Sequence, residues 1–380
     1  MSFVALFLQS CLRISLVLAC SASVAQQGVA DREVLIGQFA ALTGPAAPLG
    51  QSARNGILAH FEAINAQGGI HKRQLKLVTR DDAFEPQKAA LAAKDLINKD
   101  VVFAMVGSVG SATTLAALPL LNQAKVPLIG PLTGEQSLHT IFSRQLFHVR
   151  ASVAEEASRI AQHLSTLGVK KVAVFYQNDA YGQAALDSLK QALSKRQLNI
   201  VAISAVEVDA ANMGKSLGDI LKTAPEAVVQ ISAHISSAAF IKGARARGFR
   251  GQFLNVSSVG ANALADALGD SGIGVIVSQV VPSPHQPNSA LVREYQQNMR
   301  AIGQQSFDVS SFEGYLAAKV LTEGLRRTGR YLTREGLIDS LETMRDYNMG
   351  GFSVNYSPTS HAGSTYSELA IIAPGGKFVQ

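Results

Sequence analysis

From residue 31 onward, short runs of β-branched and other apolar residues alternate with longer stretches whose apolar side chains recur every three or four positions. The runs predict strands and the stretches predict helices, because side chains repeat about every 2 residues along a strand and about every 3.6 along a helix. The first series reads strand 34–39, helix 52–66, strand 75–79, a helix opened by Pro86, strand 101–106, helix 112–123 and strand 126–129. In helix 52–66, Ile57, Phe61 and Ile64 share a face, and Asn65-Ala-Gln-Gly-Gly69 supplies glycine where the chain must leave the helix. Pro86 suits a first helical turn, where its missing N–H would have had no partner. A second series follows Arg150: helix 153–167, strand 172–176, helix 181–194, strand 200–206, helix 213–223, strand 227–231, helix 236–247, then strands 251–254 and 274–280. Pro282, Pro284 and Pro287 interrupt the chain before helices near 289–301, 310–328 and 333–344, and the last 30 residues read as strands and turns. This alternation predicts an α/β protein with two mostly parallel sheets, each flanked by helices. Ligands of such sheets lie beyond the carboxyl ends of the strands, so the loops there are the candidate sites.

Composition narrows the class. The 380 residues are 47% hydrophobic and 16% charged, with a formal net charge of +6. That length suits two compact domains, and no low-complexity tract or Pro/Ser/Gly-rich linker separates them. The densest basic cluster, Lys242, Arg245, Arg247 and Arg250, reads as a solvated helix face, so no nucleic-acid partner is expected. Residues 1–25 resemble a cleaved signal peptide: one charge at Arg13, an apolar stretch from Ile14 to Cys20, and Ser23-Val24-Ala25 before Gln26. A competing reading makes Cys20 a lipidated cysteine in Leu-Ala-Cys, but Leu18 suits that motif poorly. Cleavage after Ala25 would remove both cysteines, Cys11 and Cys20, leaving no disulfide, thiol chemistry or cysteine-based zinc site. No later segment is long and apolar enough to span a bilayer, so a product free in the periplasm is expected.

Two loops offer candidate chemistry. Gly107-Ser-Val-Gly-Ser-Ala-Thr-Thr114 lies between a predicted strand and helix, where Ser111, Thr113 and Thr114 offer hydroxyls and the helix start, at Ala112, offers free N–H groups. This would suit a carboxylate, although Ser111 could equally be a helix cap. Gly130-Pro-Leu-Thr-Gly134 follows the next strand and would bring Leu132 and Thr133 beside Ser111. Tyr181, at a loop-to-helix junction, can close over a ligand or pack beneath its helix. Asp81-Asp82 reads as a turn cap rather than paired catalytic carboxylates. Gly214-Lys-Ser216-Leu-Gly218 matches a nucleophile elbow, but a polar stretch rather than an apolar strand precedes it, so Ser216 reads as a helix residue and a serine hydrolase is disfavoured. Phosphate-loop, dinucleotide and zinc-helix patterns are absent, and no cofactor or metal is expected. His148 and His234 sit near predicted strand ends and could touch a ligand, although a lone histidine is more often structural.

Gly37-Gln-Phe-Ala-Ala-Leu-Thr-Gly-Pro-Ala-Ala-Pro-Leu-Gly50, Asn65-Ala-Gln-Gly-Gly-Ile70, Asp81-Asp82-Ala-Phe-Glu-Pro86, Tyr181-Gly182 and Gly243-Ala-Arg-Ala-Arg-Gly248 together resemble the branched-chain amino-acid binding proteins of ABC importers, the type I periplasmic binding proteins. The resemblance covers essentially the whole chain after residue 25. It implies two Rossmann-like lobes joined by three crossovers, with 31–150 plus 281–354 in the first and 151–280 plus 355–380 in the second. A solute would bind in the cleft, the lobes would close on it, and the closed form would dock on a membrane permease or, alternatively, present the solute to a sensor or chemoreceptor. Carried over by position, Ser111 matches the serine that holds the ligand carboxylate and Tyr181 matches a second-lobe tyrosine. Thr133 lies in the matching second loop, with Leu132 and Gly134 at the usual contact positions. The family's acid for a ligand ammonium falls at Ser257, a second-lobe aromatic falls at Ala233 beside His234, and the family's cysteine pair falls at Phe84 and Gly110. Those departures imply that the carboxylate half of the site is kept and the ammonium half is not, with Arg150 and His234 as additional anion contacts.

Overall fold

The structure, a computed structural model, describes residues 27–207 and 212–379, so the expected leader with Cys11 and Cys20 lies outside the described residues. Strands β1 (Glu33–Ala40), β2 (Gln74–Asp81), β3 (Ala104–Val106), β4 (Leu128–Ile129) and β5 (Leu146–Phe147) form a wholly parallel sheet in the order β2-β1-β3-β4-β5. Helices α1 (Ala47–Ala66), α2 (Pro86–Asn98), α3 (Ser111–Ala124) and the short α4 (Gln136–Thr140) connect these strands. The sheet is buried on both faces, Ile36, Ile57 and Phe103 lying in one core and Phe39, Met105 and Leu121 in the other. Such double burial is why its strands read as continuous apolar runs.

The second series builds α5 (Val153–Thr166), β6 (Lys171–Gln177), α6 (Ala180–Lys195), β7 (Asn199–Val206), α7 (Met213–Leu221), β8 (Ala227–Ile231), α8 (His234–Ala246), β9 (Gln252–Asn255), α9 (Ala261–Leu268) and β10 (Ile276–Gln279). The chain then returns to the first lobe as α10 (Ala290–Ala301), α11 (Val309–Thr328) and α12 (Arg334–Glu342), followed by a small antiparallel sheet of β11 (Tyr347–Asn348), β12 (Ser353–Ser357) and β13 (Ser360–Gly363). Finally β14 (Glu368–Ile372) pairs antiparallel with β10, and β15 (Phe378–Val379) closes the second sheet, whose order is β15-β14-β10-β9-β8-β6-β7. The fold is therefore α/β with two lobes and parallel-rich sheets, and the chain crosses between sheets three times, at 148–152, 280–289 and 364–367.

The last crossing corrects the expected boundary at 354/355. Residues 355–363 stay with the first lobe: the Tyr356 hydroxyl donates to the His148 carbonyl at 2.6 Å, and the His148 N–H donates to the His361 carbonyl at 2.9 Å. Other differences are local. Helix α1 starts at Ala47 rather than 52 because Pro48 occupies its first turn. Strand β3 begins only at Ala104, since Arg334 claims the carbonyls of Val102 and Phe103 at 2.8 and 2.9 Å. Elements α4, β5 and α9 are too short for periodicity to reveal. Among the described residues, no helix is long and apolar enough to cross a membrane.

Candidate functional site

Beyond β3 and β4 the backbone pairing continues through their loops. The Leu132 N–H donates to the Ser108 carbonyl at 2.7 Å and the Gly110 N–H to the Leu132 carbonyl at 3.3 Å. This zipper brings two hydroxyls together at the first residue of α3, Ser111 Oγ lying 2.7 Å from Thr133 Oγ1. Thr133 is buried, Ser111 half-buried and Ala112 exposed, so Ser111 is the accessible member of the pair. Ser111 is the first helical residue rather than the cap, which is Gly110 at φ +102. Only glycine suits that backbone, and its bare Cα also admits the Phe84 ring, one carbon of which lies 2.6 Å from where a Cβ would stand. The two positions expected to replace the cysteine pair therefore touch.

Asp81 and Asp82 act as turn caps. Asp81 accepts the Leu42 and Ala83 N–H groups at 2.8 and 2.9 Å, and Asp82 accepts the Phe84 N–H at 2.8 Å, holding Ala83 and Phe84 at φ +49 and +63. Asp82 is fully buried and its Oδ2 has no partner, so burial pushes its pKa up to about 6. The folded protein then keeps a proton that the unfolded chain releases above about pH 4. Asp82 accordingly supports stability below that pH and loses its contribution as pH rises to about 6. Asp82→Asn keeps the Oδ1 acceptor and is expected to abolish this loss. Relative to wild type it should gain up to roughly 3 kcal/mol between pH 4 and pH 7 in urea melts, and parallel curves would refute the assignment.

On the other side, Tyr181 stands in the first turn of α6, half-buried, with its hydroxyl on the Ser258 side chain; burial and then Glu156 push its pKa up, so the phenol stays neutral. Ala233 is exposed and caps α8, and His234, half-buried, begins that helix. These side chains project from carboxyl ends of second-sheet strands, as the topology requires.

Between the lobes, Arg150 and Ser257, both expected at the site, join Glu156 and Glu313, which the sequence reading missed. Glu156 of α5, fully buried, accepts Ser257 N–H at 2.7 Å, Ser257 Oγ at 2.8 Å, Arg150 Nη2 at 3.2 Å and the Ser278 hydroxyl. Arg150 also donates from Nη2 to Ser257 Oγ at 2.6 Å and from Nη1 to both oxygens of Glu313 on α11 at 3.4 Å. Burial opposes the Arg150 charge, but Glu313 and Glu156 hold its pKa above the ordinary value; burial pushes Glu313 up against the pull of Arg150. Arg150 is thus no free anion contact: its guanidinium is committed to protein carboxylates. His148 is likewise withdrawn from any ligand, buried and stacked on His139 at 3.6 Å with Nε2 on the Leu138 carbonyl at 3.0 Å. One signal did exist for Glu156, which falls on the buried stripe of α5 with Val153, Ala157, Ile160 and Leu164. An acid on an apolar face asks for a partner.

Ser216 sits inside α7, buried, and donates to the Ala205 carbonyl at 2.9 Å. It has neither the strand nor the exposed turn of a nucleophile elbow. Among the described residues no group of three or more His, Cys, Asp or Glu side chains could hold a metal.

Comparison with known proteins bears on the chain as a whole. A family model described as periplasmic binding protein matches residues 33–377. A Pseudomonas aeruginosa protein named "amino acid binding protein" is 26% identical over 255 residues, covering 67% of this chain and 68% of that one. A possible leucine/isoleucine/valine-binding protein of Rhodopirellula baltica superposes with a TM-score of 0.82 at 30% identity over 92% of this chain and 96% of its own. A substrate-binding periplasmic protein of Ralstonia solanacearum gives 0.81 at 31% identity over 91% and 99%.

Proposed function

This chain belongs to the periplasmic binding protein family, and from that premise we propose that it captures a small carboxylate-bearing solute, an amino acid or an organic or aromatic acid, and delivers it to the membrane subunits of an ABC importer. The observation that carries the reading is the Ser111–Thr133 hydroxyl pair at the start of α3. A helix start leaves N–H groups without intrahelical partners and carries partial positive charge. Two hydroxyls beside it complete a cradle for one carboxylate. Tyr181, Ala233 and His234 stand on the opposing lobe, so a solute held by both sides stabilises the closed arrangement over any open one. The relatives are named as binding proteins, which supports capture rather than catalysis. The leader-like residues 1–25 and the family both support export to the periplasm.

The test is a thermal-shift screen of carboxylates against the protein lacking residues 1–25, followed by calorimetry on the best binder. Ser111→Ala removes a hydrogen bond to a charged group and is expected to weaken that solute by about 10–100-fold. An unchanged affinity would remove Ser111 from the site, and with it the carboxylate reading.

A further inference from the structure

The loop that carries Thr133 ends on an acid. The Glu135 N–H donates to Thr133 Oγ1 at 3.1 Å, the same oxygen that lies 2.7 Å from Ser111 Oγ. The Glu135 side chain caps α4 through Oε1, which accepts Ser137 N–H at 3.1 Å and Ser137 Oγ at 3.0 Å. Among the described residues Oε2 has no hydrogen-bond partner and Glu135 forms no ion pair. That oxygen stays accessible to solvent, although the residue is only 5% exposed. Arg150 is spent elsewhere, on Glu156 at 3.2 Å and on Glu313 at 3.4 Å. The Glu135 charge is felt on the opposing lobe: burial first, then Glu156 and more weakly Glu135 push the Tyr181 pKa up. Glu135 and Tyr181 therefore flank the same space.

We propose that Glu135 is a specificity-determining residue that holds an ammonium group of the solute through Oε2, so that the carboxylate seated at Ser111 and Thr133 belongs to a solute that also carries an amine. This rests on the carboxylate reading of the preceding subsection. In an α-amino acid a single carbon separates the two charged groups, so the acceptor for the amine must stand beside the carboxylate cradle, as Glu135 does. Closure over a solute with no cation would take the Glu135 charge out of water unpaired, which is costly. An ammonium on Oε2 replaces that cost with a charge-assisted hydrogen bond. Position 257 holds a serine whose N–H and hydroxyl both donate to Glu156, so the acid for an amine comes from the first lobe instead.

Matched pairs measure the discrimination directly. Leucine against 4-methylpentanoate, and phenylalanine against 3-phenylpropanoate, are titrated by calorimetry into the protein lacking residues 1–25. Each amino acid is expected to bind about 30-fold tighter than its deaminated counterpart, the worth of one hydrogen bond between charged groups. Glu135→Gln keeps the Oε1 acceptor that caps α4 and removes the charge. It should narrow the preference to about 3-fold by weakening the amino acid and not the deaminated acid. Circular dichroism melts verify that the variant folds, and the wild-type ratio needs no variant. Equal or tighter binding of a deaminated acid overturns the proposal while leaving the carboxylate cradle intact. So does a Glu135→Gln that weakens both members of a pair equally, because a purely structural role has no reason to distinguish them. Failure of all four compounds to bind overturns both readings. A Ser111→Ala that binds the amino acid normally, beside a Glu135→Gln that does not, removes the carboxylate reading alone.

Discussion

Arg150→Met is expected to lower the free energy of unfolding by about 3–5 kcal/mol, the loss that follows when one partner is stripped from a buried ion cluster. In a chain of this size each kcal/mol moves the melting temperature by about 2–4 °C, so the transition should fall by roughly 10 °C. Among the described residues, Arg150 is the one cation paired with Glu156 and Glu313, whose side chains are 0% and 9% exposed. Without it two carboxylates remain out of water with hydroxyl and amide donors on one of them alone. Methionine keeps the hydrocarbon volume, so the measurement isolates the charge. Glu313→Gln should behave oppositely. Burial holds the Glu313 pKa above the ordinary carboxyl value, so its carboxyl supports folding when protonated and loses that contribution as pH rises. The variant should match or exceed wild type at neutral pH and lose this pH dependence. A loss below about 1 kcal/mol for Arg150→Met would place the cluster among solvated pairs and refute its buried character.

Gly56→Val should be comparably damaging, for a steric reason. A Cβ at Gly56 would stand 1.8 Å from the Ser311 carbonyl oxygen and 2.9 Å from the Tyr315 nitrogen, and one at Gly314 would stand 2.2 Å from the Ala53 carbonyl. Helices α1 and α11 thus meet backbone to backbone, and a backbone carbonyl cannot rotate aside as a side chain can. The same seam is tied by His60, whose Nε2 lies 2.8 Å from Thr322 Oγ1 and whose ring meets Tyr315 edge-on at 5.1 Å. Separating the helices would loosen those contacts together, and the expected loss is about 3 kcal/mol or more. Gly218→Ala in α7 is the control. A Cβ there meets nothing within 4 Å, and alanine favours a helix interior over glycine, so a gain of about 0.5–1 kcal/mol is expected. Denaturant melts of both variants decide the point, and equal small effects would show that the helix contact yields.

Much of the site was legible because local pattern and sheet topology determine it. Ser111 and Thr133 are 22 residues apart, yet both follow strands that are adjacent in a parallel sheet, so the rule for α/β loops places them side by side. Asp81 and Asp82 were readable as caps because their partners, Ala83 and Phe84, lie two residues away. Arg150 was misread for the opposite reason. Its sequence context says only that a cation lies between the two series of elements, while its partners lie 6, 107 and 163 residues distant. His148 likewise looked available at a strand end until the fold buried it.

What the sequence determined by itself was the alternation of strands and helices, the two parallel-rich sheets and the loops that carry the hydroxyls. These follow from short-range periodicity and from the geometry common to parallel sheets. What only the tertiary structure decided was how charge is distributed where the lobes meet. Whether a buried acid is free or satisfied depends on donors from several distant segments arriving at one point, as Arg150, Ser257 and Ser278 do at Glu156. Desolvation makes that arrangement decisive, because away from water a charge must find its partners within the fold.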